Sequence, residues 1–251
     1  MKRTERHQLQ ENAVAVAVAR ARESFDTYRN QFTFAAIGVV VVLAAVGGYL
    51  YWRQSVDTTS RALLAEAMAV ADAQVVPPGA AAPGSSAAAP APAPPPGTFP
   101  TEPAKREAAL ARFMAAADAY PSTPAGIAAR YQAAATLAAL GRTADAIQRY
   151  QEVIDRAPAS IYADTARLGL AEAQASAGQF DAALSAFRSL ASQKDSRIPI
   201  DGVLMRMGRT YALAGKSAEA RQTFQRILDE FPQSAYAALA QQALEDSKTE
   251  G

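Results

Sequence analysis

The chain has no cysteine, one histidine among 251 residues and only 8% aromatic residues. The missing cysteine excludes disulfides, thiolate nucleophiles and thiolate metal sites together. It also suits an oxidising compartment, where a stray thiol is a liability. Strong charge of one sign is lacking too. The 25 basic and 24 acidic residues leave a formal +1, so no global field draws in nucleic acid or anionic surfaces. No Gly-rich phosphate loop follows a strand, because no segment reads convincingly as a strand. What is present is alanine, which dominates an apolar half of the composition. Alanine has the best helix propensity and lets helix backbones approach closely.

One long apolar run overrides the expectation of a soluble chain. From Phe32 to Trp52 the only polar side chain is Thr33. These 21 residues span about 31 Å as a helix, close to the roughly 30 Å hydrocarbon core of a bilayer. Tyr49, Tyr51 and Trp52 gather at its C-terminal end, as interfacial aromatics do. The run is longer than the apolar core of a cleavable signal peptide and follows a 31-residue leader, so it reads as a retained anchor. Six basic residues precede it (Lys2, Arg3, Arg6, Arg20, Arg22 and Arg29), and within about 20 residues after it come only Arg53 and Arg61. The positive-inside rule then puts the N-terminus in the cytoplasm and the rest outside, in a Gram-negative cell the periplasm.

Composition divides the chain further. Residues 1–31 form a cytoplasmic leader, with Thr4 and Glu5 opening a helix toward Arg29. Residues 32–52 are the transmembrane helix. Residues 53–75 read as a helix with Ser60 as a cap, because Leu63, Leu64, Ala67, Met68 and Ala71 recur at helical spacing. Residues 76–101 are a Pro/Ala-rich disordered insert, ten of the fifteen prolines falling between Pro77 and Pro103. Residues 102–251 return to helical pattern and hold to the end. The expected helices are Glu102–Ala119, Thr123–Ala139, Ala144–Arg156, Ile161–Ala177, Phe180–Ser192, Pro199–Ala214, Ser217–Glu230 and a capping helix at Ser234–Ser247. The fold class is therefore all-α.

Within those helices one frame recurs every 37 residues. Gly141, Gly178 and Gly215 each end a first helix, where a left-handed cap favours glycine. Ala146, Ala183 and Ala220 follow five residues later, at the expected helix crossing. Tyr150, Phe187 and Phe224 follow nine residues after the glycines, and Pro158 and Pro232 stop the second helix, with Asp195 in the intervening frame. Extended backward, the frame meets Ala109, Phe113 and Pro121. Glu102–Ala119 is then the second helix of an earlier repeat, and residues 60–75 supply its first helix across the insert. A fixed period of this size signals stacked supersecondary units sharing one core.

This Gly–Ala–aromatic–Pro frame resembles the tetratricopeptide repeat over residues 60–247. The family repeat is usually 34 residues, and the late first-helix position where it prefers Tyr holds Leu137, Gln174 and Tyr211. The resemblance implies about three and a half repeats in residues 102–251 and a concave face lined by first helices. Carried onto this sequence, its groove positions are Ala128, Tyr131, Ala135 and Ala138, then Thr165, Leu168, Glu172 and Ala175, then Gly202, Met205, Arg209 and Ala212. Such a groove is mostly small and apolar, with one acid and one base, and suits an extended or helical protein segment. The layout of short tail, single anchor and exported repeats is similar to the ancillary subunit family of the bacterial SecYEG translocon. It implies protein partners: translocon subunits, periplasmic chaperones or exported clients. The run Phe231–Ala237 also looks like repeats of envelope-assembly proteins.

Catalysis finds no constellation. His7 lies in the leader, so serines such as Ser185 and Ser189 have no histidine partner on their side of the membrane. Asp229 and Glu230 sit at a helix end and read as a solvated face. The expectation is a non-enzymatic scaffold with no cofactor, metal, nucleic acid or small-molecule substrate, acting at or near the export translocon with a chaperone-accessory role. The alternatives are an envelope-assembly adaptor for cell-wall or outer-membrane machinery, and a structural tether with no client groove.

Overall fold

A computed structural model describes residues 3–77, 97–193 and 197–249. Asp195 and most of the proline-rich segment lie outside the described residues, as do the side chains before Thr33, His7 among them. All the regular structure described is helical: α1 Arg3–Ala71, α2 Glu102–Ala119, α3 Pro124–Ala139, α4 Thr143–Arg156, α5 Ile161–Ser176, α6 Phe180–Ser192, α7 Ile200–Leu213, α8 Ser217–Glu230 and α9 Ala237–Thr249. The chain forms two compact units, Met1–Val56 and Asp57–Gly251.

In the first unit α1 has no break. One stretch of it, starting at Ala36, is long and apolar enough to cross a membrane. Its large apolar side chains stand open, from Phe34 at 74% and Val40 at 64% to Trp52 at 61%.

In the second unit, consecutive helices from α2 to α9 pack on one another, and the first helices also touch in a row, α3 on α5 and α5 on α7. Each second helix has an apolar stripe at helical spacing. On α4 the stripe is Ala146, Tyr150 and Val153; on α6 Ala183, Phe187 and Leu190; on α8 Ala220, Phe224 and Ile227. All nine are at most 5% exposed. The last member of each stripe repeats the 37-residue period as faithfully as the glycines. On the first helices alanine does the filling: Ala129, Ala134, Ala163, Ala166 and Ala171 are fully buried.

Two core clusters divide at α5. The first joins Leu110, Phe113, Leu137, Tyr150 and Val153, and the second joins Leu184, Phe187, Leu204, Phe224 and Ile227. The end of α1 belongs to the first cluster. Ala67 is fully buried there beside Ala109 and Phe113, with Leu63, Leu64, Met68 and Ala71 around it. Glu66 of α1 pairs with Arg112 of α2 at 2.6 Å. Beyond α1, Val75 and Phe99 form an isolated parallel bridge, with Val76 donating its amide to the Phe99 carbonyl at 2.9 Å.

Three sequence expectations need correction. The helix read over residues 53–75 ends at Ala71, because Val75 pairs with Phe99 instead. Ser60 caps nothing: α1 runs straight through it, and its buried hydroxyl donates to the Asp57 carbonyl one turn back at 3.0 Å. The last helix starts at Ala237 rather than Ser234. Ser234 is held outside the helix because its hydroxyl reaches the Asp201 carboxylate at 2.5 Å and accepts the Tyr236 amide at 3.0 Å.

Candidate protein-binding surface

The turns that place the surface are built alike. Gly141, Gly178 and Gly215 have φ of +75°, +75° and +72°. Each turn makes the same two bonds. The Arg142 amide donates to the Leu137 carbonyl at 2.9 Å and the Gly141 amide to the Ala138 carbonyl at 3.0 Å, a Schellman closure. Gln179 and Gly178, and Lys216 and Gly215, repeat it. Only glycine takes this left-handed φ without strain, which is why the period is most visible there. The second helices then begin without a side-chain cap, and acids in their first turns, Asp145, Asp181 and Glu219, face the helix N-terminal dipole instead. Pro158 and Pro232 are exposed one residue past the C-caps Ala157 and Phe231.

First helices α3 and α5 start differently, while α7 begins after Pro199 with no side-chain cap. Thr123 accepts the Gly126 amide at 3.0 Å and Ser160 accepts the Ala163 amide at 3.1 Å. Where α3 begins, a Cβ on Gly126 would lie 1.7 Å from the Tyr120 carbonyl oxygen, so the chain there has room for glycine alone.

The structure sorts the expected groove residues into three groups. Ala128, Gly202 and Met205 are buried and present no surface, Met205 at 2% exposure inside the second core cluster. Tyr131, Thr165, Leu168 and Glu172 are half-buried. The Tyr131 ring sits 6.0 Å from both Tyr150 and Tyr162, linking α3, α4 and α5. The Thr165 hydroxyl turns back to the Ile161 and Tyr162 carbonyls, both at 3.1 Å. Glu172 forms an ion pair with Arg206 of α7. Arg209, with Ala138 and Ala212, is exposed.

Several residues that organise this region escaped the sequence reasoning. Arg206 ties α5 to α7 and donates to the Gly202 carbonyl at 2.9 Å. Burial works against its charge, but the hydrogen bond and charge of Glu172, helped by Tyr236, outweigh that and raise its pKa. Burial first, then Tyr131 and Glu172, pushes the Tyr150 hydroxyl well above the ordinary tyrosine range. Arg130, at 3% exposure, joins three helices. It donates to Glu152 of α4 at 2.6 Å, to the Ala117 carbonyl at 3.1 Å and to Asp118 of α2 at 3.2 Å. The signal for it was an arginine set among alanines, Ala128-Ala129-Arg130, on a helix otherwise buried there.

Between α7, α8 and α9 lies a cavity of about 740 Å³, lined by Arg209, Leu213, Ser217, Arg221 and Phe224 among others. A smaller one of about 240 Å³ lies where Ala71 of α1 meets α2 and α3.

Stacked helical hairpins with a periodic glycine turn, a shared core and first helices in a row define a repeat scaffold. The chain belongs to the tetratricopeptide repeat-like domain family, whose sequence model matches residues 25–249. No curated protein sequence matches the chain. Among solved structures it is similar to a tetratricopeptide repeat protein from Parabacteroides merdae ATCC 43184, with 19% identity over 58% of this chain and 55% of that one and a TM-score of 0.47. It is also similar to YrrB, described as a TPR protein with an unusual peptide-binding site, with 21% identity over 55% of this chain, 66% of that one and a TM-score of 0.44. The chain thus matches 55% and 66% of the lengths of these two structures. As a helical-repeat domain it is a scaffold for protein–protein contact.

Proposed function

We propose that the protein is an inner-membrane-anchored scaffold whose repeat domain works in the periplasm, at or near the protein-export translocon, in a chaperone-accessory role. One observation carries the anchored part of this proposal. Helix α1 leaves its large apolar side chains between Phe34 and Trp52 half or more exposed, and the same helix buries Ala67 in the repeat core. Exposed apolar surface costs about 25 cal/mol per Å² in water, a cost a bilayer removes. The basic residues ahead of the run favour a cytoplasmic N-terminus. In this proposal residues 60–75, helical as far as Ala71, and α2 make the first repeat, divided by the proline-rich insert, and partners are translocon subunits, periplasmic chaperones or exported clients.

The test is in-cell photocrosslinking from Val41 or Val46, read by mass spectrometry. Translocon subunits among the crosslinked products support the proposal. Cell-wall or outer-membrane assembly factors in their place reject it and favour the adaptor alternative. On the repeat side, Leu168→Glu with Arg209→Glu weakens partner capture while thermal unfolding stays cooperative. Unchanged capture removes the first-helix face as the docking surface.

A further inference from the structure

The cavity between α7, α8 and α9 exists because the last junction departs from the one before it. At the preceding junction, 37 residues earlier in frame, the first turns of α6 carry Phe180 and Leu184, and Leu184 is fully buried. In α8 those places hold Ser217 and Arg221, both exposed. The preceding junction also closes with an acid–base pair, Glu172 with Arg206. In the last junction the acid's place holds Arg209 and the base's place holds Ala243. Bulk and negative charge are lost together.

What remains is an apolar floor under two guanidinium groups. Leu213 is 69% exposed, the most open large apolar side chain described after the first unit, and the buried Phe224 and Ala220 line the same cavity. Among the described residues neither Arg209 nor Arg221 makes an ion pair or side-chain hydrogen bond. Most other arginines of the repeat unit do, including Arg112, Arg130, Arg142, Arg167 and Arg226. Asp246, a carboxylate on the cavity wall, is itself engaged. The volume of about 740 Å³ falls within the roughly 300–1,000 Å³ of ligand-binding clefts.

We propose that this cavity takes an acidic, apolar peptide segment of a partner protein. An apolar side chain seats on Leu213 and Phe224 and supplies the bulk that Phe180 and Leu184 supply one repeat earlier. Flanking carboxylates take Arg209 and Arg221, as Glu172 takes Arg206. Charge-assisted pairing with guanidinium gives the geometry, and desolvation of the apolar side chain gives the affinity. The inference rests on the domain being a protein-binding scaffold, and not on its membrane residence or the identity of its partner.

The experiment uses the purified full chain and a fluorescein-labelled eight-residue peptide of alternating Leu and Asp, followed by fluorescence anisotropy. Saturable binding is expected, weakened at least tenfold by Arg209→Glu or Arg221→Glu and weakened by added salt. Ser217→Phe with Arg221→Leu restores the residues of the preceding repeat, so it abolishes binding while keeping or raising Tm. Three results overturn the proposal: no binding at millimolar peptide, equal binding of a Leu/Lys peptide, or undiminished binding by the filled variant. The Val41 and Val46 crosslinks are read in a different part of the chain, and Leu168→Glu alone reads the first-helix face without touching the cavity, so a failure here is distinguishable from a failure there.

Discussion

At the scale of single residues, the glycines separate two kinds of constraint. A Cβ on Gly141 meets nothing within 4 Å, so its only demand is the positive φ. Gly141→Ala should therefore cost about 1 kcal/mol, the left-handed penalty of one residue. Gly126 has an ordinary φ but no space, its Cβ position lying 1.7 Å from a backbone oxygen that cannot rotate away. Gly126→Ala should cost about 3 kcal/mol or more, at the upper end of overpacking. Urea midpoints of the two variants check the order. Tyr150 carries a second expectation. Its folded pKa is raised, so its contribution to stability is complete below the unfolded tyrosine pKa of about 10 and is lost as pH climbs above it. Thermal melts between pH 9 and 11 should show an alkaline loss that Tyr150→Phe reduces. An unchanged slope in that variant would reject the assignment.

At the scale of elements, two ways of beginning a helix recur, with α7, which starts after Pro199 without a side-chain cap, and α2, capped by the Thr101 hydroxyl, outside the pattern. First helices α3 and α5 use a hydroxyl cap, while second helices rise from the glycine turn and use an acid in the first turn. The difference follows from the residue at the N-cap: Thr123 and Ser160 carry a short hydroxyl that reaches back to the backbone, whereas Arg142, Gln179 and Lys216 do not. Arg130 binds three elements at once, with Asp118 on α2 and Glu152 on α4. Removing it leaves the part-buried Glu152 without this partner and the end of α2 without a donor. Arg130→Met should cost roughly 3 kcal/mol, the range for breaking one side of a buried pair. Arg130→Lys should recover part of that, since lysine keeps the charge and loses the fork. Chemical denaturation of both variants, with Glu152→Gln as the third corner of a cycle, measures the coupling.

At the scale of the whole molecule, contacts are between neighbours, so stability propagates along the array rather than through one centre. The two core clusters meet at α5. Phe187→Ala empties a fully buried site in the second cluster, at a cost of about 4 kcal/mol. Hydrogen exchange should then rise across α6, α7 and α8 while α2, α3 and α4 keep their protection. Equal loss of protection in both halves would show that the clusters unfold as one unit.

The all-α class, the 37-residue period and the tetratricopeptide resemblance were legible in the sequence, because each depends on local chemistry. Glycine marks a positive φ, proline ends a helix, and apolar spacing marks a buried stripe. The apolar run was legible for the same reason. Which first-helix residues face outward was not, and Met205 shows why: its burial depends on how neighbouring helices rotate against one another, and spacing along one helix does not carry that rotation. The Glu172–Arg206 pair lies 34 residues apart and the Arg130 contacts lie 12 to 22 apart, so neither falls on the repeat period. Sequence alone therefore determined the repeating helical unit and the apolar run ahead of it. Only the packed structure decided which side chains meet across repeats and where the array is left unfilled, because those outcomes depend on distances between helices.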